Sequence, residues 1–370
     1  MRGVFRYVNS PLTICCYCVL YGAYNGPGNG TGVINNSGGI LMNSFGRMFR
    51  VSIFGESHGI QIGVVVDGCP AGIPLTEDDL KDDFARRRAG GRGTTPRIEP
   101  DLPRIVSGVF RGRTTGAPLT IVFENTNIKS GDYDNLWDQP RPGHADYTAQ
   151  QKYGGYNDPR GGGHFSGRIT LGIVAAGVIA KKIIDPVSVA AILIEAGGSR
   201  DIDAAVEAAI AAKDSIGGII ECRCTNMPIG LGEPFFDSAE ALIAHMIFAV
   251  PATRGIEFGS GFRAATMKGS EHNDCIIDEH GSTATNYASG INGGITNGNN
   301  IIFRVPIKPA SSIGIAQNTY NFKEQSVSTL LIEGRHDVCI AIRIPVVIEC
   351  ATTIVLADLM LQEQQRSRIF

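Results

Sequence analysis

The sequence predicts a single α+β domain with helices buried between sheets. Three observations carry that reading. Ser166 to Ile184 is apolar on nearly every face, with Lys181 and Lys182 only at its end, so it predicts a helix covered on all sides. Strand-like and helical runs mix along the chain without a regular strand–helix–strand rhythm, which argues against a parallel, doubly wound sheet. The composition is that of a globular chain with a substantial core: 370 residues, 43% hydrophobic and 19% charged.

Residues 1–41 stand apart from that domain. They hold two arginines and no acid, crowd Cys15, Cys16 and Cys18 together, and run through Gly and Asn from Asn25 to Gly39. Leu12 to Ala23 is apolar behind Arg2 and Arg6, which superficially copies a signal peptide. The downstream chain has no secreted character. We therefore read 1–41 as an atypical extension, unstructured or preceding a working start at Met42, and 42–370 as one domain.

From Met42 the elements follow in order. Phe49–Phe54 and Ile60–Val66 read as strands on either side of Gly55-Glu56-Ser57-His58-Gly59. Thr76 opens a helix, with acids from Glu77 to Asp79 in its first turn, Arg86 to Arg88 in its last and Gly90 past its end. That order complements the helix dipole. It also delivers three guanidinium groups to a glycine-rich loop, 90–93, that contains Arg92. Arg104–Phe110 and Leu119–Glu124 are strand-like. After the apolar helix, Asp201–Ala212 and Ser238–Phe248 read as helices; Asp237 and Glu240 stand at capping-box spacing for the second, and Pro251 ends it. Ile301–Ile307 alternates as a strand, and Ile348–Gln365 closes the chain as a helix.

Several function classes drop out. A formal net charge of −3 gives no global positive field to attract a nucleic acid. No stretch offers 18 or more uninterrupted apolar residues, so no membrane span is expected. The nine cysteines are odd in number and dispersed, which suggests reduced thiols in a cytoplasmic protein. Cys222-Arg223-Cys224 has one spacer residue and no second pair to complete a zinc site, and no metal is expected. Gly26, Gly28, Gly30 and Gly32 alternate but lack the third glycine and the following helix of a dinucleotide fingerprint. The 47 glycines are not periodic; they cluster beside Arg, His and Ser, where a backbone must approach a ligand closely.

Gly55-Glu56-Ser57-His58-Gly59 fits the G-x-S-x-G pattern of a serine hydrolase, but that elbow needs a helix after it, and Ile60–Val66 reads as a strand. A second constellation is distributed along the chain. His58 sits in one glycine loop and Arg141-Pro142-Gly143-His144-Ala145-Asp146 forms another. Gly161-Gly162-Gly163-His164-Phe165-Ser166-Gly167-Arg168 opens the apolar helix, whose N-terminal N–H groups favour an anion. Lys308-Pro309-Ala310-Ser311-Ser312 follows a strand, and Gly334-Arg335-His336-Asp337 precedes another. Arginine forks grip carboxylate and phosphate at two points, and histidine moves protons near neutral pH. The pattern suits a small polyanion held by several loops. His245, inside an apolar helix, reads as a core histidine; Arg86 to Arg88 reads either as a solvated helix end or as part of the grip; Glu271 to Cys275 with His280 reads as an ordered surface or lid loop.

With these loops in order, the sequence closely resembles the chorismate synthase family from Phe45 to the last helix. Gly55–Gly59 leading to Val66-Asp67-Gly68-Cys69-Pro70 looks like its first signature. Gly163 through Arg168-Ile169-Thr170 to Gly177 is similar to its second, and Arg335-His336-Asp337 to Glu349 to its third. The resemblance implies a lyase that converts 5-enolpyruvylshikimate 3-phosphate to chorismate and phosphate by anti-1,4 elimination, the last common step of the shikimate pathway. It implies a requirement for reduced FMN without net redox change, a β-α-β sandwich fold and a homotetramer. The ring hydrogen to be lost is too weakly acidic for a side-chain base, so the flavin carries the difficult chemistry and the protein orients, excludes water and stabilises the leaving phosphate.

By motif, the resemblance gives His144 the role of protonating the departing phosphate, sets His58 beside the flavin, and has Asp337 assist proton transfer at the flavin's reactive nitrogen. Arg87, Arg92, Arg141, Arg168 and Arg335 would hold substrate anions, supported by Ser57 and Ser166. Flavin contacts would come from His164, Phe165 and Ser166, from Pro251 and Ala252, from Gly293, from Lys308, Pro309, Ala310, Ser311 and Ser312, and from Arg335. Many relatives carry Arg-Ser-Ser-Ala-Arg where this chain has His164-Phe165-Ser166-Gly167-Arg168, one positive charge and one hydroxyl fewer. Some relatives reduce their own flavin with NADPH; the missing dinucleotide fingerprint points instead to an external flavin reductase. A flavin-binding scaffold that has lost catalysis is the alternative of another class, told apart by binding without turnover.

Overall fold

The computed structural model describes residues 43–95, 100–126, 136–332 and 337–365. The expected extension at 1–41 and Arg335 lie outside the described residues.

Two antiparallel sheets carry the fold. The first contains β1 (Ser44–Phe45), β2 (Arg50–Gly55), β3 (Gln61–Asp67), β4 (Arg104–Ser107) and β7 (Leu119–Glu124), in the order β1-β2-β3-β7-β4, with a short hairpin of β5 (Val109–Phe110) and β6 (Arg113–Thr114) in the connection to β7. The period of two puts Ile62, Val64 and Val66 of β3 and Leu119, Ile121 and Phe123 of β7 on the buried face. Gly55–Gly59 thus joins strand to strand, and the hydrolase elbow is absent from it.

The second sheet contains β8 (Ser188–Ala196), β9 (Gly218–Thr225), β10 (Glu257–Phe258) and β13 (Ile301–Ile307), ordered β10-β13-β9-β8. β8 and β9 were not expected from the sequence. Cys222 and Cys224 pair with Phe303 and Ile301 across β9 and β13, and all four are fully buried. Their spacing is the period of a strand. Two further hairpins, β11 (Ile291–Asn292) with β12 (Ile295–Thr296) and β14 (Gln317–Asn321) with β15 (Ser326–Leu330), complete the strands described.

Seven α-helices are described: α1 (Lys81–Arg87), α2 (Asp146–Lys152), α3 (Thr170–Ile183), α4 (Ile202–Ala212), α5 (Ala239–Phe248), α6 (Gly269–His272) and α7 (Pro345–Gln364). Two of them fill the space between the sheets. α3 packs on β2 and β3 and on α7; α7 packs on α3, α5, β8 and β9. Thr170 to Ala180 of α3 is buried without interruption, as its all-round apolarity requires. The α+β sandwich expected from the sequence is the observed architecture.

α7 is long and apolar enough to cross a membrane, yet Val346 to Leu359 is buried inside the fold. Its two buried acids are satisfied there. Glu349 accepts from Arg86 Nη1 and Nη2 at 2.7 and 2.5 Å and from the Ala191 N–H at 2.8 Å. Asp358 accepts the successive N–H groups of Arg47, Met48 and Phe49 at 2.9, 2.6 and 2.9 Å. Hydrogen-bonded acids at these positions suit a protein core.

Four details differ from the sequence reading. The Thr76 helix begins as a 3-10 turn, Glu77–Leu80, before α1, with the Thr76 N–H donating to Asp79 Oδ2 at 2.7 Å. α5 is capped by Ser238, whose Oγ accepts the Ala241 N–H at 3.1 Å, while Asp237 ends a preceding 3-10 turn and pairs with Arg47 at 2.8 Å. Asp337 precedes a 3-10 turn, Ile340–Ile342, and then α7, where a strand was expected. α7 itself starts at Pro345, whose fixed φ suits a first helical turn. The loop at Asp274 is ordered as expected: its carboxylate accepts from Thr285 Oγ1 at 2.7 Å and from the N–H groups of Tyr287 and Ala288 at 2.8 Å. Among the described residues no group of three metal-ligand side chains occurs.

Candidate active site

The glycine run before α3 is where separate parts of the site meet. Gly161, Gly162 and Gly163 have φ of +59°, +81° and +53°, and the Gly163 carbonyl accepts the Ser57 N–H at 3.0 Å. A methyl group on Gly161 would overlap the His58 ring and Ser57 Oγ. One on Gly162 would stand 3.4 Å from His144 Cε1. The run therefore lies against both histidines, and at Gly161 the approach leaves no room for a side chain.

Beside it opens a cavity of about 1140 Å³, whose lining includes Ser57, Arg87, Arg141, His144, His164 to Arg168, Pro251, Ala252, Lys308 to Ser312 and Asp337. Most of the residues singled out from the sequence are thus brought together from seven separate segments. His58 is not on that wall; it is buried behind Gly161, and Ser57 is the neighbour that faces the cavity. Arg92 is turned outward on an exposed ion pair with Glu207 of α4. Gly293 lies in the β11–β12 turn and is not among the lining residues. His245 corrects the other way: it is exposed, lines the cavity, and meets the Phe45 ring edge-on at 5.3 Å.

Two buried arginines share one carboxylate. Arg87, at the end of α1, donates from Nη1 to Asp101 Oδ2 at 3.2 Å and from Nε to Thr170 Oγ1 at 3.1 Å. Arg168 donates from Nη1 to Asp101 Oδ1 at 2.7 Å and from Nε to Asn125 Oδ1. Burial pushes the Arg87 guanidinium down to about 10, against the pull of Asp101. Two cations against one anion leave a surplus of positive charge, which an incoming anion relieves. Asp101 and Asn125 have no counterpart in the sequence reading. The available signal was that a buried guanidinium needs an acid, and Asp101 stands between two prolines after the arginine-rich helix.

The second cluster is Arg141, His144 and Asp146. Arg141 grips Asp146 two-fold, Nε to Oδ2 and Nη2 to Oδ1, both at 2.8 Å, and donates from Nη1 to Ser312 Oγ at 3.1 Å. His144 Nδ1 lies 2.5 Å from Asp146 Oδ1. Burial raises the Asp146 carboxyl, but hydrogen bonds from Arg141 and His144 outweigh it and hold the group well below the ordinary 3.8. The Gly143 carbonyl, one residue before His144, accepts from Lys308 Nζ and from Ser311 Oγ at 2.9 Å. Burial and the neighbouring Arg254 lower the Lys308 ammonium.

Asp337 is fixed at both oxygens, by the Thr95 N–H and by Arg343 Nη2, each at 2.9 Å. Arg343 lines the same cavity and was not anticipated. His164 Nδ1 donates to the Gly55 carbonyl at 2.8 Å, which ties the approach to α3 onto the end of β2. Ser166 Oγ caps that approach, accepting the Arg168 N–H at 3.3 Å.

The family model described as chorismate synthase matches residues 49–361. The chain belongs to the chorismate synthase family. It is 61% identical over 330 residues to a chorismate synthase of Chitinophaga pinensis, covering 89% of this chain and 99% of that one. It is 44% identical over 343 residues to a chorismate synthase of Syntrophobacter fumaroxidans, covering 86% and 97%, and 43% identical over 346 residues to one of Korarchaeum cryptofilum, covering 85% and 96%. A crystal structure of chorismate synthase shares the fold at a TM-score of 0.67 and 24% identity, over 87% of this chain and 94% of that chain. As a member of the chorismate synthase family the chain is a lyase of aromatic biosynthesis.

Proposed function

We propose that the cavity takes 5-enolpyruvylshikimate 3-phosphate beside reduced FMN and releases chorismate and inorganic phosphate. The observation that carries this is the convergence of Arg87, Arg141, Arg168, His144 and Asp337 on one cavity. At about 1140 Å³ it exceeds the ~300–1,000 Å³ of a usual single-ligand pocket, which suits a flavin with a second molecule against it. Phe45, Ile53, Ile173 and Met246 offer an apolar wall to a flat ring, and Lys308, Ser311 and Ser312 offer donors to a phosphate. These residues fit FMN. Reduced FMN, when bound, supplies the electron-rich ring that makes loss of phosphate feasible where no side-chain base could remove the ring hydrogen.

The chain's own residues do the rest. Arg87 and Arg168, with their surplus charge, hold substrate anions; Arg141 steers the phosphate toward His144. His144 gives a proton to the departing phosphate, and Asp337, held by Thr95 and Arg343, would assist proton transfer at the flavin's reactive nitrogen. Burial of the wall excludes water, which strengthens each of these interactions. Ser57 and Ser166 support the ligands by hydrogen bonding. His58, behind Gly161, acts on the site through packing.

We read the protein as a cytoplasmic homotetramer supplied with reduced flavin by an external reductase. The free cysteines among the described residues and the bare rings of Phe235, Phe236 and Phe262, 86–93% exposed, support that picture. The test is an anaerobic assay with reduced FMN and substrate, read as chorismate formed. Folded protein that binds both and forms none defeats the proposal. In the same assay His144→Ala should keep substrate binding and lose turnover on the order of 10²-fold or more.

A further inference from the structure

We propose that Asp146 is the positioning residue of this site, setting the tautomer of His144 and the aim of Arg141 together. The inference rests on the reading that His144 protonates the departing phosphate. Asp146 receives four hydrogen bonds: from the Arg141 N–H at 3.1 Å, Arg141 Nε and Nη2 at 2.8 Å, and His144 Nδ1 at 2.5 Å. An ionised carboxylate only accepts, so Nδ1 must carry a hydrogen in neutral and charged imidazole alike. Nε2 is then the nitrogen left for a ligand. Gly162 lies beside that edge, and Arg141 Nη2 reaches the ring at both nitrogens, 3.0 Å from Nδ1 and 3.2 Å from Nε2, of which Asp146 already occupies the first. A phosphate drawn to Arg141 therefore arrives at the nitrogen that exchanges the proton.

Asp146 is the first residue of α2 and its side chain is only 10% exposed, so helix and burial hold it rigid. The charged groups around His144 are Arg141 and Asp146 on its own loop, Lys308 behind Gly143, and the Asp158–Arg160 pair and His58 across the glycine run. Of these, Arg141 and Asp146 touch His144, and Asp146 is the one that can accept a hydrogen from it. A merely structural Asp146 would neutralise Arg141 and leave the tautomer of His144 unset.

Selective ¹⁵N labelling of histidine distinguishes the two in the full-length enzyme, the His144 signal being assigned by its loss in His144→Gln. Wild type should show the Nδ1–H tautomer. Asp146→Asn should lose the fixed Nδ1–H tautomer and reduce kcat about 10²-fold, with KM changed far less. An Nε2–H tautomer in wild type overturns the proposal, and needs no variant to fold. So does an Asp146→Asn enzyme with an unchanged His144 tautomer and unchanged kcat. Wild type that forms no chorismate would sink the reading of function instead, and the tautomer would still decide the role of Asp146.

Discussion

At the scale of single residues the site is organised by carboxylates that substrate never has to touch. Asp101 holds Arg87 and Arg168, and Asp146 holds Arg141 and His144. Each carboxylate fixes the direction in which cations present their remaining donors. Asp101→Asn removes the one carboxylate that two buried guanidiniums share, which should cost about 3–5 kcal/mol in urea unfolding at neutral pH. Inorganic phosphate should restore more stability to that variant than to wild type, because an anion in the cavity replaces the missing charge. Equal stabilisation of both would show that the arginine pair does not face the anion site. The arginines and histidines were legible in the sequence because they sit in glycine loops. Their carboxylate partners were not, since Asp101 and Arg168 lie 67 positions apart and become a pair only when α1, α3 and β7 meet. His245 misled for the opposite reason: an apolar helix suggests burial on every face, but one face of α5 borders the cavity.

At the scale of elements, close approach explains why two helices fit between the sheets. Gly177 of α3 lies against Cys350 of α7, and a methyl group there would overlap the Cys350 side chain and its Cα. Gly177→Ala must push the helices apart, with an expected loss of about 1–3 kcal/mol or more. Gly269→Ala, where a methyl group meets nothing, should stay within about 0.5 kcal/mol and serves as the control. Urea midpoints that fall together for both would remove the helix contact as the explanation. Long apolar helices and strands such as Leu119–Glu124 and Ile301–Ile307 announce themselves, because burial on one or all faces writes a pattern over many residues. β8 and β9 do not. Ser188–Ala196 is alanine-rich, and Cys222 and Cys224 invite a metal-spacing question when their separation is that of a strand.

At the scale of the whole molecule the fold places its most protected helices directly behind its chemistry. The approach to α3 carries Ser166 and Arg168 into the cavity, and the approach to α7 carries Asp337 and Arg343. Both helices continue from there into the space between the sheets, where Thr170 to Ala180 and Val346 to Leu359 are buried. Their backbone amides should open only with global unfolding, so the centres of α3 and α7 should exchange hydrogen slowest in the unliganded protein. The glycine-rich approach to α3, with Gly161, Gly162 and Gly163 at positive φ, should open locally and exchange much faster. Ligand bound between them should slow exchange at 161–170 and 337–345 while leaving 173–180 and 348–357 unchanged, since those segments already stand at the global limit. Hydrogen exchange with and without substrate and reduced FMN, read by mass spectrometry, tests this directly. Protection confined to α4 or α6, or spread evenly over the chain, would mean that ligand is held somewhere other than the mouth formed by the two buried helices.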